Sequence, residues 1–202
     1  SNTGQSCNAP TRLLVPKEQA AAAAQIAARV AESTQVGQPI EPTTMMGPLI
    51  SQQQFDKVQD LIQLGINEGA ELICGGPGKP DGLEQGYFVK PTVFSQVHNQ
   101  MQIAQQEIFG PVISIIPYSS DDEAIEIAND SPYGLAGYIQ GKDKQRIGYI
   151  ASRIRAGNIN VNGQSGDLNT PFGGYKHSGN GREWGAFGFE DFLEIKAVSG
   201  LS

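Results

Sequence analysis

The chain has 202 residues, 39% hydrophobic and 17% charged, the balance of a polypeptide that buries a core rather than of a disordered one. Fourteen Lys and Arg against 21 Asp and Glu leave a net charge of -7 with no basic stripe to follow a phosphate backbone, which argues against nucleic acid as a partner. No apolar run approaches the roughly 18 residues of a membrane span. Two cysteines and two histidines make neither a disulfide framework nor a zinc site, so no metal, no membrane and a reduced, cytoplasmic setting are expected.

In chain order, the first seven residues place a thiol, Cys7, beside a glycine turn at Gly4. Residues 11–15 read as a short strand, and Pro16 opens a helix where its missing N–H costs nothing. Residues 17–33 are rich in alanine, with Ala20, Ala24, Ala27, Ala28 and Ala31 at helical spacing, which predicts a helix packed closely on a sheet. Pro39, Pro42, Gly47 and Pro48 make 37–48 a loop, a candidate lid or arm. Residues 51–54 fit a capping box, with Ser51 as N-cap and Gln54 reaching back, and Phe55, Val58, Leu61, Ile62 and Ile66 give the helix to about Glu68 its apolar face.

Residues 71–74 read as a strand ended by Gly75 and Gly76, with Cys74 in the core. The stretch 86–94 has the content of a pair of strands broken at Pro91, and 112–116 is nearly continuous in apolar residues, as in a parallel strand buried on both faces. A second capping box at 120–123 opens a helix through Ala128. Residues 134–140 form a strand, Asp143 caps a helix to about Ala156 with Gly157 as its C′ residue, and 158–162 return as a strand. This alternation predicts one principal α/β domain, a three-layer α/β/α arrangement with a mainly parallel sheet and catalytic groups at the carboxyl ends of its strands.

Three segments are not explained by regular structure. Cys7 beside Gly4 reads two ways, as a nucleophile whose loop admits a carbonyl or as a small buried residue. Glu107 and Phe109 stand two residues apart on the extended approach to a strand, hence on one face. There a carboxylate can accept two sugar hydroxyls and a ring can bound a flat heterocycle; equally, Glu107 can be solvent-exposed and Phe109 core. Residues 171–183 carry Gly173, Gly174, Gly179 and Gly181, a shaped loop in which Lys176 and Arg182 could assist an anion, although the Walker and Rossmann spacings are both missing. Lys176 and His177 suit loop-fixing surface roles, and Trp184, Phe187, Phe189, Phe192 and Leu193 suit a core or an interface.

Together these segments resemble the nucleophile, cofactor-ribose and C-terminal glycine-rich motifs of the NAD(P)-dependent aldehyde dehydrogenase superfamily. Residues 129–135 and 157–162 are similar to further stretches of that family, so the likeness covers essentially the whole chain. It implies that Cys7 adds to an aldehyde carbonyl, that hydride passes to NAD or NADP, and that water releases a carboxylic acid. It further implies that Glu107 holds the nicotinamide ribose, that Phe109 borders the nicotinamide, and that Gln54 makes a weaker ribose-side contact. Phe172 would line the aldehyde tunnel, and Glu183 would orient a proton relay or brace its loop.

The family's dinucleotide-binding domain, general-base glutamate and oxyanion asparagine lie upstream of the nucleophile motif. The chain therefore reads as a C-terminal catalytic portion, residues 1–193, with an oligomerisation strand in 194–202 that would pair with another subunit of a homodimer or homotetramer. Ser1 and Asn2 are candidate vector residues, and alone the piece is not expected to work as a dehydrogenase. Two other readings stay open: a stand-alone thiol hydrolase using Cys7 and His177, and a non-catalytic dimerisation module.

Overall fold

A computed structural model describes residues 2–164 and 166–200, and the chain divides into two units after Ser131. In the first unit, β1 (Arg12–Pro16) passes through a 3-10 turn, Lys17–Gln19, into α1 (Ala20–Ser33), so Pro16 closes the strand and the turn intervenes before the helix. Residues 37–48 fold back as an arm, with Val36 bridged to Met46. Next come α2 (Gln52–Asn67), β2 (Glu71–Cys74), β3 (Thr92–Ser95), a short α3 (Gln102–Gln105), β4 (Val112–Tyr118) and α4 (Asp121–Asn129). Of the expected strand pair in 86–94 only the second forms; Phe88 and Val89 are buried without joining a strand.

The sheet runs β1-β4-β3-β2, with β1, β4 and β3 parallel and β2 antiparallel at the edge. Successive strand residues point to opposite faces. Val112 and Ile116 of β4 therefore enter a cluster with Val58, Leu61 and Ile62 of α2 and Ile103 of α3, whereas Ile115 joins Val15, Val93 and the small Ala20 and Ala24 of α1. Helices thus cover both faces of a mainly parallel sheet, the three-layer α/β/α order that the alternation predicts. Burying each such aliphatic side chain contributes about 1.5–3 kcal/mol.

Arg12 ties β1 to α4. Its guanidinium donates to Ile127 O at 2.8 Å, Ala128 O at 2.9 Å and Asn99 Oδ1 at 2.7 Å, satisfying carbonyls at the negative end of that helix. Burial lowers its pKa, an effect that the charge of Asp130 opposes.

In the second unit, β5 (Ala136–Ile139) and β6 (Asn158–Val161) form a parallel pair, joined by α5 (Lys144–Ala151), with α6 (Gly185–Glu190) beyond the glycine-rich loop. Asp143 caps α5, accepting from the N–H groups of Gln145 and Arg146. The helix stops at Ala151, short of the expected Ala156, and Gly157 has another duty. A Cβ there would collide with the Gly173 carbonyl, so Gly157 permits a backbone-to-backbone approach rather than closing a helix. Phe187, Phe189 and Phe192 are exposed rather than core, and residues 193–200 carry no regular structure.

Candidate functional site

Asn2, Thr3 and Gly4 form a tight left-handed turn, with φ of 49, 56 and 71°. Gly4 is required at its position twice over, because φ is positive and because a Cβ would collide with the Gly110 carbonyl oxygen. The Ile50 N–H donates to Gln5 Oε1 at 3.0 Å, which ties the loop to the end of the arm. Cys7 follows on a turn with its thiol free and exposed, so the buried alternative does not hold. Its backbone N–H has no acceptor among the described residues.

The Glu107–Phe109 segment is not the extended approach that the spacing suggests. Phe109 has φ 57°, which breaks the strand alternation, and the two side chains cannot be assigned to one face by counting. Ile108 between them is 1% exposed and enters the core, while Glu107 is exposed and Phe109 half-buried. Side chains of α2 hold this bend. Gln54 Nε2 donates to Ile108 O at 2.9 Å and Phe109 O at 2.8 Å, and Lys57, one turn on, donates to Glu107 O at 2.7 Å. Gln54 thus serves its cap only through its N–H, given to Ser51 Oγ at 3.2 Å; its side chain does not reach back. The Ile108 and Phe109 carbonyls engage both N–H groups of the Gln54 amide, which commits the side chain to the bend rather than to the cap.

Both segments lie at the amino ends of strands, contrary to the carboxyl-end expectation. Residues 2–8 precede β1 and residues 107–111 precede β4; these strands are parallel neighbours with Arg12 opposite Ser114, so their entering loops meet, Gly4 against Gly110. No cluster of three or more His, Cys, Asp or Glu that could hold a metal occurs among the described residues.

In the second unit the glycine-rich loop closes on itself. Phe172 and Glu183 form an antiparallel bridge, each N–H donating to the other's carbonyl at 2.7 Å. The Phe172 ring is half-buried and lies 5.2 Å from the Trp184 ring at 37°, while Glu183 is exposed. Arg182 Nη1 donates to Gly174 O at 2.9 Å, Asn180 O at 3.1 Å and Gly181 O at 2.8 Å, so the loop itself uses the cation that an anion would need. Asn158 clasps the loop's start, donating to Pro171 O at 3.0 Å and accepting from the Gly173 N–H at 3.3 Å. His177 is exposed, and its N–H donates to Pro132 O at 3.0 Å.

Sequence reasoning missed Thr3, Lys57 and Asn158. Lys57 had a signal, its i+3 spacing from Gln54 on one helix face. Thr3 and Asn158 act on carbonyls distant in sequence and had none.

The family model described as "Aldehyde dehydrogenase family" matches residues 1–198. A 3-succinoylsemialdehyde-pyridine dehydrogenase from a Pseudomonas species is 55% identical over 199 residues, covering 98% of this chain and 42% of that protein. A crystal structure of a cysteine-to-alanine variant of Aldehyde Dehydrogenase C from Pseudomonas syringae, complexed with NAD+ and octanal, superposes with a TM-score of 0.96 at 50% identity, covering 99% of this chain and 41% of that one. A Mycobacterium tuberculosis aldehyde dehydrogenase complexed with NAD+ gives 0.91 at 46% identity, over 94% of this chain and 39% of that one. The chain spans about 42% of the length of the curated relatives it matches.

Proposed function

This chain belongs to the aldehyde dehydrogenase family, and from that premise we propose that it is the catalytic portion of an enzyme oxidising an aldehyde to a carboxylic acid, with Cys7 as nucleophile. The observation that carries the reading is the contact of Gly4 with the Gly110 carbonyl, which sets the exposed Cys7 thiol's loop against the segment bearing Glu107 and Phe109. The Cys7 thiol gives its proton to solvent, and its sulfur forms a bond to the carbonyl carbon as the C=O π pair moves to oxygen. The resulting oxyanion is met by the Cys7 N–H, which has no other acceptor among the described residues. When bound, NAD or NADP supplies the acceptor for the hydride whose loss turns the thiohemiacetal into a thioester. Water then adds at the acyl carbon and the C–S bond breaks; one water proton passes to the departing sulfur, so that the Cys7 thiol is restored as the carboxylic acid is released.

The donor set fits such a cofactor. Glu107 offers an exposed carboxylate, acceptor-only, for paired ribose hydroxyls, and half-buried Phe109 offers a ring for a flat heterocycle. Both Gln54 N–H donors are spent on carbonyls, so only its Oε1 remains for a ribose hydroxyl. Phe172 lines the aldehyde tunnel, and Glu183 orients a proton relay or braces Phe172 through their shared bridge. Residues 194–198 add a strand to a neighbouring subunit of a homodimer or homotetramer, and two free thiols suit a cytoplasmic setting.

The test is NAD-dependent oxidation of an aldehyde series by the complete polypeptide that contains this chain. Cys7→Ala should abolish turnover; an unchanged rate overturns the reading. Ester cleavage without NAD that His177→Ala abolishes would instead favour the thiol hydrolase.

A further inference from the structure

Thr3 is a β-branched residue at φ 56° and ψ 34°, between Asn2 at φ 49° and Gly4 at φ 71°. Successive left-handed residues are rare because an L side chain crowds its neighbouring carbonyl, and a branched one crowds it most. Such a turn persists only where its surroundings over-determine it. Here Thr3 is 4% exposed, and its hydroxyl donates to Gly47 O at 3.0 Å, across 44 residues of chain. The same arm donates back through Ile50 N–H to Gln5, and Gly4 rests on the Gly110 carbonyl. The arm in 37–50 therefore grips the nucleophile loop at Thr3 and at Gln5, while the segment that bears Glu107 and Phe109 supports it at Gly4.

We propose that Thr3 is a positioning residue for the Cys7 thiol: its hydroxyl bond to Gly47 locks the left-handed turn that presents the sulfur. The arm is a brace for the nucleophile rather than a lid. This inference rests on the reading of Cys7 as nucleophile. Thr3→Val keeps the branched shape but removes the donor and leaves the Gly47 carbonyl without this bond, so the turn loses the contact that offsets its strain.

The experiment measures two things for Thr3→Val, Thr3→Ser and Thr3→Ala. One is the rate of iodoacetamide labelling at Cys7 relative to Cys74 in this chain; the other is kcat and the KM for NAD in the complete polypeptide. Thr3→Val should lower the Cys7:Cys74 ratio at least about threefold, and should lower kcat by about 10²-fold with KM for NAD little changed. Thr3→Ser keeps the hydroxyl and should stay within about twofold of the parent in both. An unchanged ratio and kcat in Thr3→Val overturn the proposal, as does a parallel rise in labelling of both thiols, which would mark a role in stability alone. Should Thr3→Val not fold, Thr3→Ala decides. Alanine keeps a Cβ, and with it the strain of this φ, but relieves the crowding of the branch and lacks the hydroxyl, so the same losses support the lock and parent-like behaviour overturns it. If Cys7→Ala keeps full turnover, the nucleophile reading itself fails, separately from any result at Thr3.

Discussion

The Cys7 loop of the first unit and the glycine-rich loop of the second both depart from regular structure, and they are held by different means. Residues 2–8 are gripped from outside: Thr3 and Gln5 bond to the arm, and Gly4 meets Gly110. Residues 171–183 carry their own brace, Arg182 donating to three carbonyls of the loop, and are anchored at its edges by Asn158 of β6 and by the Pro132 and Gly134 carbonyls, which accept from the His177 and Tyr175 N–H groups. The difference teaches how to read glycine and charge in a loop. In the second loop the cation is a strut, and the glycines are there so that backbones can touch; in the first, one glycine sits among strained non-glycine residues whose cost other segments offset.

The largest effect should come from the backbone contact at the root of the second loop. In Gly157→Ala the new Cβ meets the Gly173 carbonyl, which neither β6 nor the loop can vacate cheaply, and the loss should be about 3 kcal/mol or more. Gly179→Ala sits at φ 91° and ψ 166°, a conformation almost reserved to glycine, but in open space, so conformational strain of about 1–3 kcal/mol and no collision is expected. Thermal denaturation of both variants checks the ranking. Equal costs would mean that the loop needs flexible glycines rather than close approach.

The same contrast shows what the sequence could and could not reveal. The helix starts were legible because Ser51, Ser120 and Asp143 each cap through a local bond that a four-residue pattern encodes. The layering was legible in the nearly continuous apolar run of β4 and the small residues of α1. The candidate site's residue types stand out in the sequence, but how the structure holds them does not. The Phe109 bend has no local signal, since an aromatic residue at φ 57° is disfavoured anywhere and survives here through Gln54, some 55 residues away. Gly157 read as a helix end because one residue type serves both close approach and chain reversal. The carboxyl-end rule misplaced the site because it concerns the loops leaving parallel strands, whereas here two loops entering neighbouring strands meet.

Intermediate effects should separate the two struts. Arg182→Ala removes a charged donor from three loop carbonyls and its guanidinium from above the Tyr175 ring, and should cost about 2–3 kcal/mol. Arg182→Lys should recover only part of this, because an ammonium lacks the planar fork. Gln54→Leu leaves the Ile108 and Phe109 carbonyls without their donor and should cost about 1–2 kcal/mol. Gln54→Glu should be worse than Leu above neutral pH, since a carboxylate would then face two carbonyl oxygens. Urea midpoints of the four variants test this, and an innocuous Gln54→Glu would show that α2 does not hold the bend.

The smallest effect isolates what belongs to the nucleophile loop from what any thiol of the first unit would show. Cys74 closes β2 and packs beneath α1, and its pKa is raised above the ordinary 9.0 by burial and by the negative charge of Glu32, against a lowering hydrogen bond from the Val93 backbone. A thiol whose pKa is higher in the folded than in the unfolded chain holds its proton longer when folded. It contributes stability that is fully present below the unfolded value and is lost as pH rises through the folded one. Urea midpoints should therefore fall on the alkaline side of 9.0, and Cys74→Ala should flatten that fall. Labelling at pH 7 should reach exposed Cys7 well before Cys74. If Cys74 labelled as fast as Cys7 instead, exposure on its turn would give the Cys7 sulfur no advantage over a thiol packed beneath a helix, and a loop gripped from outside could no longer be treated as a presenter of its sulfur.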